Sequence, residues 1–202
     1  MKLILGSQSK GRSQVLRNAG YSFSVLVPSI NEKAIRSDNF KDMTLLIAQA
    51  KAQALLPQIS EPALLITADH VMVWNGELRE KPQSIDEAKK FLETYSNNSA
   101  LSISSVVVTN TETHKQEFGT DMSKVFFKEI PTDVITEILQ EEDTLSMSGA
   151  LNIDDVRIAP YIDRIEGDRD SVIGLPMKLL NKLFSEFVLV QPPSIIRACP
   201  VI

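Results

Sequence analysis

The chain has 202 residues, 43% of them apolar, and a formal charge of −5, enough for a substantial core and too little basic surface to expect a nucleic-acid polymer as partner. A single cysteine, Cys199, excludes an intramolecular disulfide, and two separated histidines give no zinc cluster. No apolar run approaches the ~20 residues of a membrane span, and Gly6-Ser7-Gln8 turns polar too early for a signal-peptide core, so a cytoplasmic protein with no membrane partner is expected.

In chain order, Lys2 to Leu5 reads as a short buried strand, followed by a small polar loop and a helix whose Val15, Leu16 and Ala19 share a face before Gly20 ends it. Ser22 to Val27 reads as a second strand. Leu45, Leu46, Ala48, Ala52 and Leu55 mark a helix stopped before Pro57. Leu64 to Asp69 is a central strand delivering a carboxylate to its end, and Asn75-Gly76 turns a tight hairpin between Val71–Trp74 and Glu77–Arg79.

Ser84 and Glu87 form a capping box before Ala88, Phe91, Leu92 and Tyr95, which repeat at helical spacing. Leu101 to Thr109 and Lys124 to Ile130 are rich in β-branched and aromatic residues and are expected to pair. Thr132 caps a further helix, and Gly174-Leu175-Pro176 opens one with Met177, Leu180, Leu183 and Phe184 inward. Val188 to Val190 returns to the sheet, and residues 191–202, with three prolines, form a tail. No linker or repeat divides residues 1–190, which read as one mixed α/β domain of two lobes.

Several clusters are chemically suggestive. Asp69 ends an apolar run, and twelve residues later Lys81 returns after the hairpin, so a base or metal ligand can face a crevice beside a cation suited to an anionic substrate. Ser7, Ser9 and Arg12 lie between a strand and a helix, where backbone N–H groups, hydroxyls and a guanidinium can receive phosphate oxygens; a capped helix start is the other reading. Lys51 among alanines either lies along a packed face or is an ordinary solvated lysine. Glu32 is either a turn carboxylate or a metal ligand. His70 either shuttles protons or is satisfied within the hairpin. No nucleophile-elbow pattern supports a Ser-His-Asp hydrolase.

Together, Ser7-x-Ser9 with Arg12, Ala48-Gln49-Ala50-Lys51-Ala52, Ala68-Asp69, Lys81-Pro82 with Glu87-Ala88, Ser148-Gly149-Ala150 and Ile173-Gly174-Leu175-Pro176 resemble the Maf family of nucleoside triphosphate pyrophosphatases, from residue 2 to about 187. The resemblance implies an elongated mixed central sheet flanked by helices, two lobes with a cleft, a fold similar to inosine triphosphate pyrophosphatases, and a homodimer. It implies hydrolysis of a nucleoside triphosphate to the monophosphate and pyrophosphate with Mg²⁺ or Mn²⁺. Asp69 corresponds to the proton acceptor, Glu32 and Asp69 to metal ligands, and Ser7, Ser9, Arg12, Lys51 and Lys81 to substrate-binding residues. His70 and Asp154 correspond to specificity positions, and an acidic Asp154 matches a guanine-type base such as that of 7-methyl-GTP. The family loop usually reads Ser-x-Ser-Pro-Arg-Arg, whereas Lys10-Gly11-Arg12 stands here, which leaves room for a second reading as a catalytically weakened nucleotide-binding regulator of cell division.

Overall fold

The computed structural model describes residues 1–187. In chain order the strands and α-helices are β1 (Lys2–Gly6), α1 (Lys10–Asn18), β2 (Ser24–Val25), α2 (Phe40–Leu55), β3 (Ala63–Trp74), β4 (Glu77–Arg79), α3 (Ile85–Tyr95), β5 (Ser99–Asn110), β6 (Gln116–Phe127), α4 (Thr132–Ile138), β7 (Ile162–Glu166), α5 (Arg169–Ile173) and α6 (Met177–Ser185). One seven-stranded mixed sheet runs β2-β1-β3-β5-β6-β7, with β4 pairing to β3, and helices cover it on both faces. Among the described residues no helix is long and apolar enough to cross a membrane.

Local chemistry accounts for most of these bounds. Ser9 accepts from the Arg12 N–H at the start of α1, and Asn39 accepts from the Lys41 N–H at the start of α2. Ser84 accepts from the Glu87 N–H, while the Glu87 carboxylate reaches back one residue further than expected, to the Gln83 N–H. Asn75 and Gly76 both have positive φ, 49° and 81°, as the two-residue turn between β3 and β4 requires.

Four expectations change. The central strand does not end at Asp69: β3 is a single strand of 12 residues that passes through it. The predicted strand over Ser22 to Val27 shrinks to two residues, and β6 begins at Gln116, eight residues before the expected Lys124, because polar Gln116 to Ser123 still pairs fully with β5. Pro131, not Thr132, occupies the cap of α4, with no side-chain cap bond. Strand β7 and helix α5 were not legible from periodicity; both are 5 residues long. The strand expected at Val188 to Val190 lies outside the described residues.

The long strands carry two separate apolar clusters on each face of the sheet. On the face under α1, α5 and α6, Leu64, Ile66 and Ala68 of β3 and Val106 and Val108 of β5 join one apolar core with Leu16, Leu180 and Phe184. Further along the same strands, Met72 and Ala100 join a second core with Leu92, Tyr95 and Ile135. Between the two lies a polar belt, with His70 in register with Ser104, which pairs in turn with Asp121. The opposite face repeats the pattern. Ala52, Leu55 and Leu65 form one cluster and Met43, Ile47, Val71 and Val73 another, and Thr67, Asp69, Thr44 and Ser105 hold the polar level between them. Polar residues thus cross both faces of the sheet at one level, near residues 67–70 of β3.

Candidate active site

At that level the pairing of β3 is interrupted on one side. Its parallel partner β1 ends where Gly6 meets Thr67, and its antiparallel partner β4 begins where Arg79 meets Met72. Residues 68–71 therefore keep β5 on one side and, among the described residues, have no strand on the other. Side chains take the place of the missing strand. The Ala68 carbonyl accepts from Arg12 Nη1 at 3.0 Å and from Lys51 Nζ at 3.3 Å.

Asp69 points to the α2 face, where its Oδ1 lies 2.8 Å from Lys51 Nζ, and both side chains are more than 90% buried. Lys51 also stands 3.1 Å from Glu32 Oε1, so one ammonium bridges two carboxylates and a carbonyl. Burial pushes the Asp69 carboxyl above its ordinary range, and the nearby Lys51 and Arg12 offset this only in part. Such a carboxylate is a stronger base than a solvated one.

Arg12 reaches the site from α1. Its Nε donates to the Gly174 carbonyl at 2.9 Å, and Nη1 donates to Ser7 Oγ at 3.2 Å as well as to Ala68. This leaves Nη2 without a protein partner among the described residues. Burial lowers the Arg12 pKa, with Asp69 and Glu32 opposing the change, and the guanidinium stays charged at any physiological pH. Ser7 Oγ also accepts from the Ser9 N–H at 3.1 Å, so the predicted phosphate loop is internally braced while its hydroxyl protons remain available. Lys10 is not part of this cluster: its ammonium pairs with Asp143 at 3.0 Å, at the surface.

His70 is turned to the other face. Its Nε2 is 3.0 Å from Ser102 Oγ, and a Cβ placed on Gly174 would lie 3.1 Å from the His70 Cβ. Enclosed there with Arg12 nearby, the imidazole is pushed down to about 3 and is neutral at pH 7. Its carbonyl accepts from Ser148 Oγ at 3.1 Å, and the Gly149 N–H donates to the Glu80 carbonyl at 2.9 Å, which docks the Ser148–Ala150 turn beside β4. Ser102 and Ser148 had no assigned role in the sequence. The signal for Ser102 was present as a cluster of serines, Ser102, Ser104 and Ser105, that interrupts the apolar pattern of β5.

Lys81 is exposed and has no hydrogen bond from its ammonium among the described residues. The β3–β4 register, continued past Arg79, carries it to the level of His70. Asp154 is exposed and bound to Arg169 at 2.6 Å. The structure thus gathers Ser7, Ser9, Arg12, Glu32, Lys51 and Asp69 at the interrupted edge, with the His70 side chain behind the strand. Lys81 and Asp154 stand outside the hydrogen-bonded cluster.

A metal ion would find only Glu32 and Asp69 here, and no group of three or more His, Cys, Asp or Glu side chains is arranged for metal binding among the described residues. Two carboxylates suit Mg²⁺ when substrate phosphates and water complete its shell. The pair therefore fits a cation that arrives with a polyphosphate.

A family model described as Maf-like protein matches residues 2–187. A 7-methyl-GTP pyrophosphatase from Dictyostelium discoideum is 38% identical over 191 residues, covering 91% of this chain and 96% of its own length. A dTTP/UTP pyrophosphatase from Vibrio vulnificus is 30% identical over 187 residues, with 93% and 99% covered. A crystal structure of a nucleoside-triphosphatase / dITP/XTP pyrophosphatase from Mycobacterium abscessus aligns over 94% of both chains at 12% identity and a TM-score of 0.36.

Proposed function

Because the chain belongs to the Maf-like protein family, we propose that it is a nucleoside triphosphate pyrophosphatase with Asp69 as the proton acceptor. The observation that carries this reading is the convergence of Arg12 and Lys51 on the Ala68 carbonyl beside a buried carboxylate, at the stretch of β3 that has no strand on its outer side among the described residues. A water held by Asp69 attacks the α-phosphorus. The new P–O bond forms as the α–β bridging bond breaks, Asp69 takes the water proton, and pyrophosphate leaves.

The protein groups divide the remaining work. Lys51 keeps Asp69 ionised in spite of burial, and because its ammonium is already shared among Asp69, Glu32 and Ala68 it acts on the substrate through charge rather than through free protons. Arg12 Nη2 and the Ser7 and Ser9 hydroxyls are the donors for phosphate oxygens. Lys81, solvated in the free protein, closes on the distal phosphates when the nucleotide binds. Glu32 and Asp69 hold a divalent cation, Mg²⁺ or Mn²⁺, which supplies charge neutralisation on the phosphates and lowers the pKa of water.

The base reading is a guanine type, 7-methylated in the favoured case. Its support is the 38% identity to a 7-methyl-GTP pyrophosphatase and the carboxylate at Asp154, which can accept N1–H and N2–H of guanine once released from Arg169. His70 contributes indirectly, by fixing the Gly174 and Ser102 walls. A cytoplasmic homodimer belongs to the same reading. It is supported by family membership and by β6, where residues 116–122 pair with no strand on their outer side among the described residues and Phe118 and Met122 are exposed.

A pyrophosphate-release screen over ordinary, methylated and deaminated triphosphates, with and without Mg²⁺, tests the assignment. Turnover of a guanine-type triphosphate that requires the cation, and a changed ranking of bases in Asp154→Gln, are expected. An absence of turnover across the panel refutes the activity, and an unchanged ranking in Asp154→Gln refutes the base contact.

A further inference from the structure

We infer that the backbone N–H of His70 is a built-in donor to the phosphoryl group under attack. The inference deepens the pyrophosphatase reading and rests on it.

Backbone groups of successive strand residues point alternately to the two neighbouring strands. The phase along β3 is set at its start, where the Thr111 N–H donates to the Ala63 carbonyl at 3.0 Å across the β5 side. Odd-numbered residues of β3 therefore bond toward β5, in an unbroken register from Leu64 to Val73. Even-numbered residues point the other way, toward β1 up to residue 67 and toward β4 from residue 72.

Two peptide positions fall in the interval, Ala68 and His70. The Ala68 carbonyl is occupied by Arg12 and Lys51, and the His70 carbonyl by the Ser148 hydroxyl. The His70 N–H, directed to the same side, has no acceptor among the described residues. The position that the β3–β4 register would offer it is the Lys81 carbonyl, but β4 stops at Arg79 and that carbonyl instead accepts from Gln83 Nε2. Unpaired backbone donors this close to a core are rare in folded proteins.

Its surroundings point to an anion. The peptide nitrogen is bonded directly to the Asp69 carbonyl carbon, so it is one residue from the proposed base, and Arg12 holds the adjacent Ala68 carbonyl with its Nη2 free. Strand pairing on both sides of the interval makes the donor rigid. A rigid N–H aimed at the place where charge accumulates costs no reorganisation as the reaction proceeds. Because the donor is main chain, it is independent of the side chain at position 70, whose imidazole lies on the α5 side against Ser102.

The chain has two histidines, which gives a direct test. In protein labelled with ¹⁵N only at histidine, the amide spectrum contains the signals of His70 and His114. The latter donates to the Asn110 carbonyl at 2.9 Å in the β5–β6 turn and serves as an internal control; His114→Asn assigns the pair by removing one signal. The α,β-methylene analogue of guanosine triphosphate is titrated with Mg²⁺, and its own ³¹P resonances report binding. The expected result is a downfield shift of the His70 amide proton that saturates with the ³¹P change, while His114 stays in place. Binding seen by ³¹P with a stationary His70 amide overturns this inference and leaves the pyrophosphatase reading intact. No binding, together with no turnover of any triphosphate, overturns both.

Discussion

Lys51 Nζ and Asp69 Oδ1 stand 2.8 Å apart with both side chains buried, and the same ammonium reaches Glu32 at 3.1 Å. The acid and its counter-charge come from different elements, a strand and a helix packed across it, so their distance depends on the packing of α2 against β3.

Replacing Lys51 by Met removes the positive partner and leaves a buried carboxylate. The variant should lose about 3 kcal/mol of stability at pH 7, the order expected when one member of a buried pair is removed. The loss should shrink at pH 5, where Asp69 can take up a proton instead. Urea unfolding at the two pH values checks this, and equal losses at both would contradict it.

Asp69→Asn keeps the shape and a hydrogen-bond acceptor for Lys51 but removes the proposed base. Turnover should fall by a factor on the order of 10² to 10⁴, with binding of a non-hydrolysable analogue largely kept. Steady-state kinetics beside calorimetric titration separates the two effects.

The direction of the Asp69 shift sets the acid side of the rate profile. Asp69 must be ionised to accept a proton, and burial raises its folded pKa. Activity should therefore appear only as pH rises past a midpoint above the ordinary aspartate value of about 4. A kcat/KM profile flat down to that value would show that another group controls the limb.

His70 carries the opposite shift, from an ordinary 6.5 down to about 3. A base with a depressed folded pKa contributes stability that is complete above its unfolded value and is lost as pH falls through the folded one. Wild-type protein should weaken progressively from about pH 6.5 toward acid, and His70→Gln should flatten that part of the curve. The denaturant midpoint measured from pH 7 to pH 4 reports it.

Gly149 has φ 65°, and a Cβ there would lie 2.5 Å from Tyr95 Oη and 2.8 Å from the Met72 Cβ. Gly149→Ala should cost about 2 kcal/mol through strain and overpacking. The displaced turn also carries Ser148 away from the His70 carbonyl, so KM for the nucleotide should rise. Thermal melts and kinetics on the same preparation test the pair of effects.

Part of the candidate site's arrangement was legible because its residues sit at punctuation in the chain. Ser9 caps a helix and Asp69 follows an apolar run, and each declares itself by local pattern. Helix α3 and the Asn75-Gly76 turn were readable for the same reason. The run of β3 through Asp69 was not, because His70 breaks the apolar pattern just where the strand crosses from one core to the next. The pairing of Arg12 with the Gly174 carbonyl joins residues 162 positions apart, and no local signal reports a contact of that kind. Asp154, singled out by its acidic charge, is bound to Arg169 at the surface, a pairing between residues 15 positions apart that the sequence did not announce.

The halves of β3 hang from different neighbours, and this makes the molecule intolerant of odd-numbered change. Inserting one residue directly after Thr67, with the β1 pairing kept, would swap the layers, turning the acid toward α5 and the imidazole toward α2. Two inserted residues would keep each group on its own side and only widen the opening. The middle of this strand thus behaves as a parity lock on the chemistry.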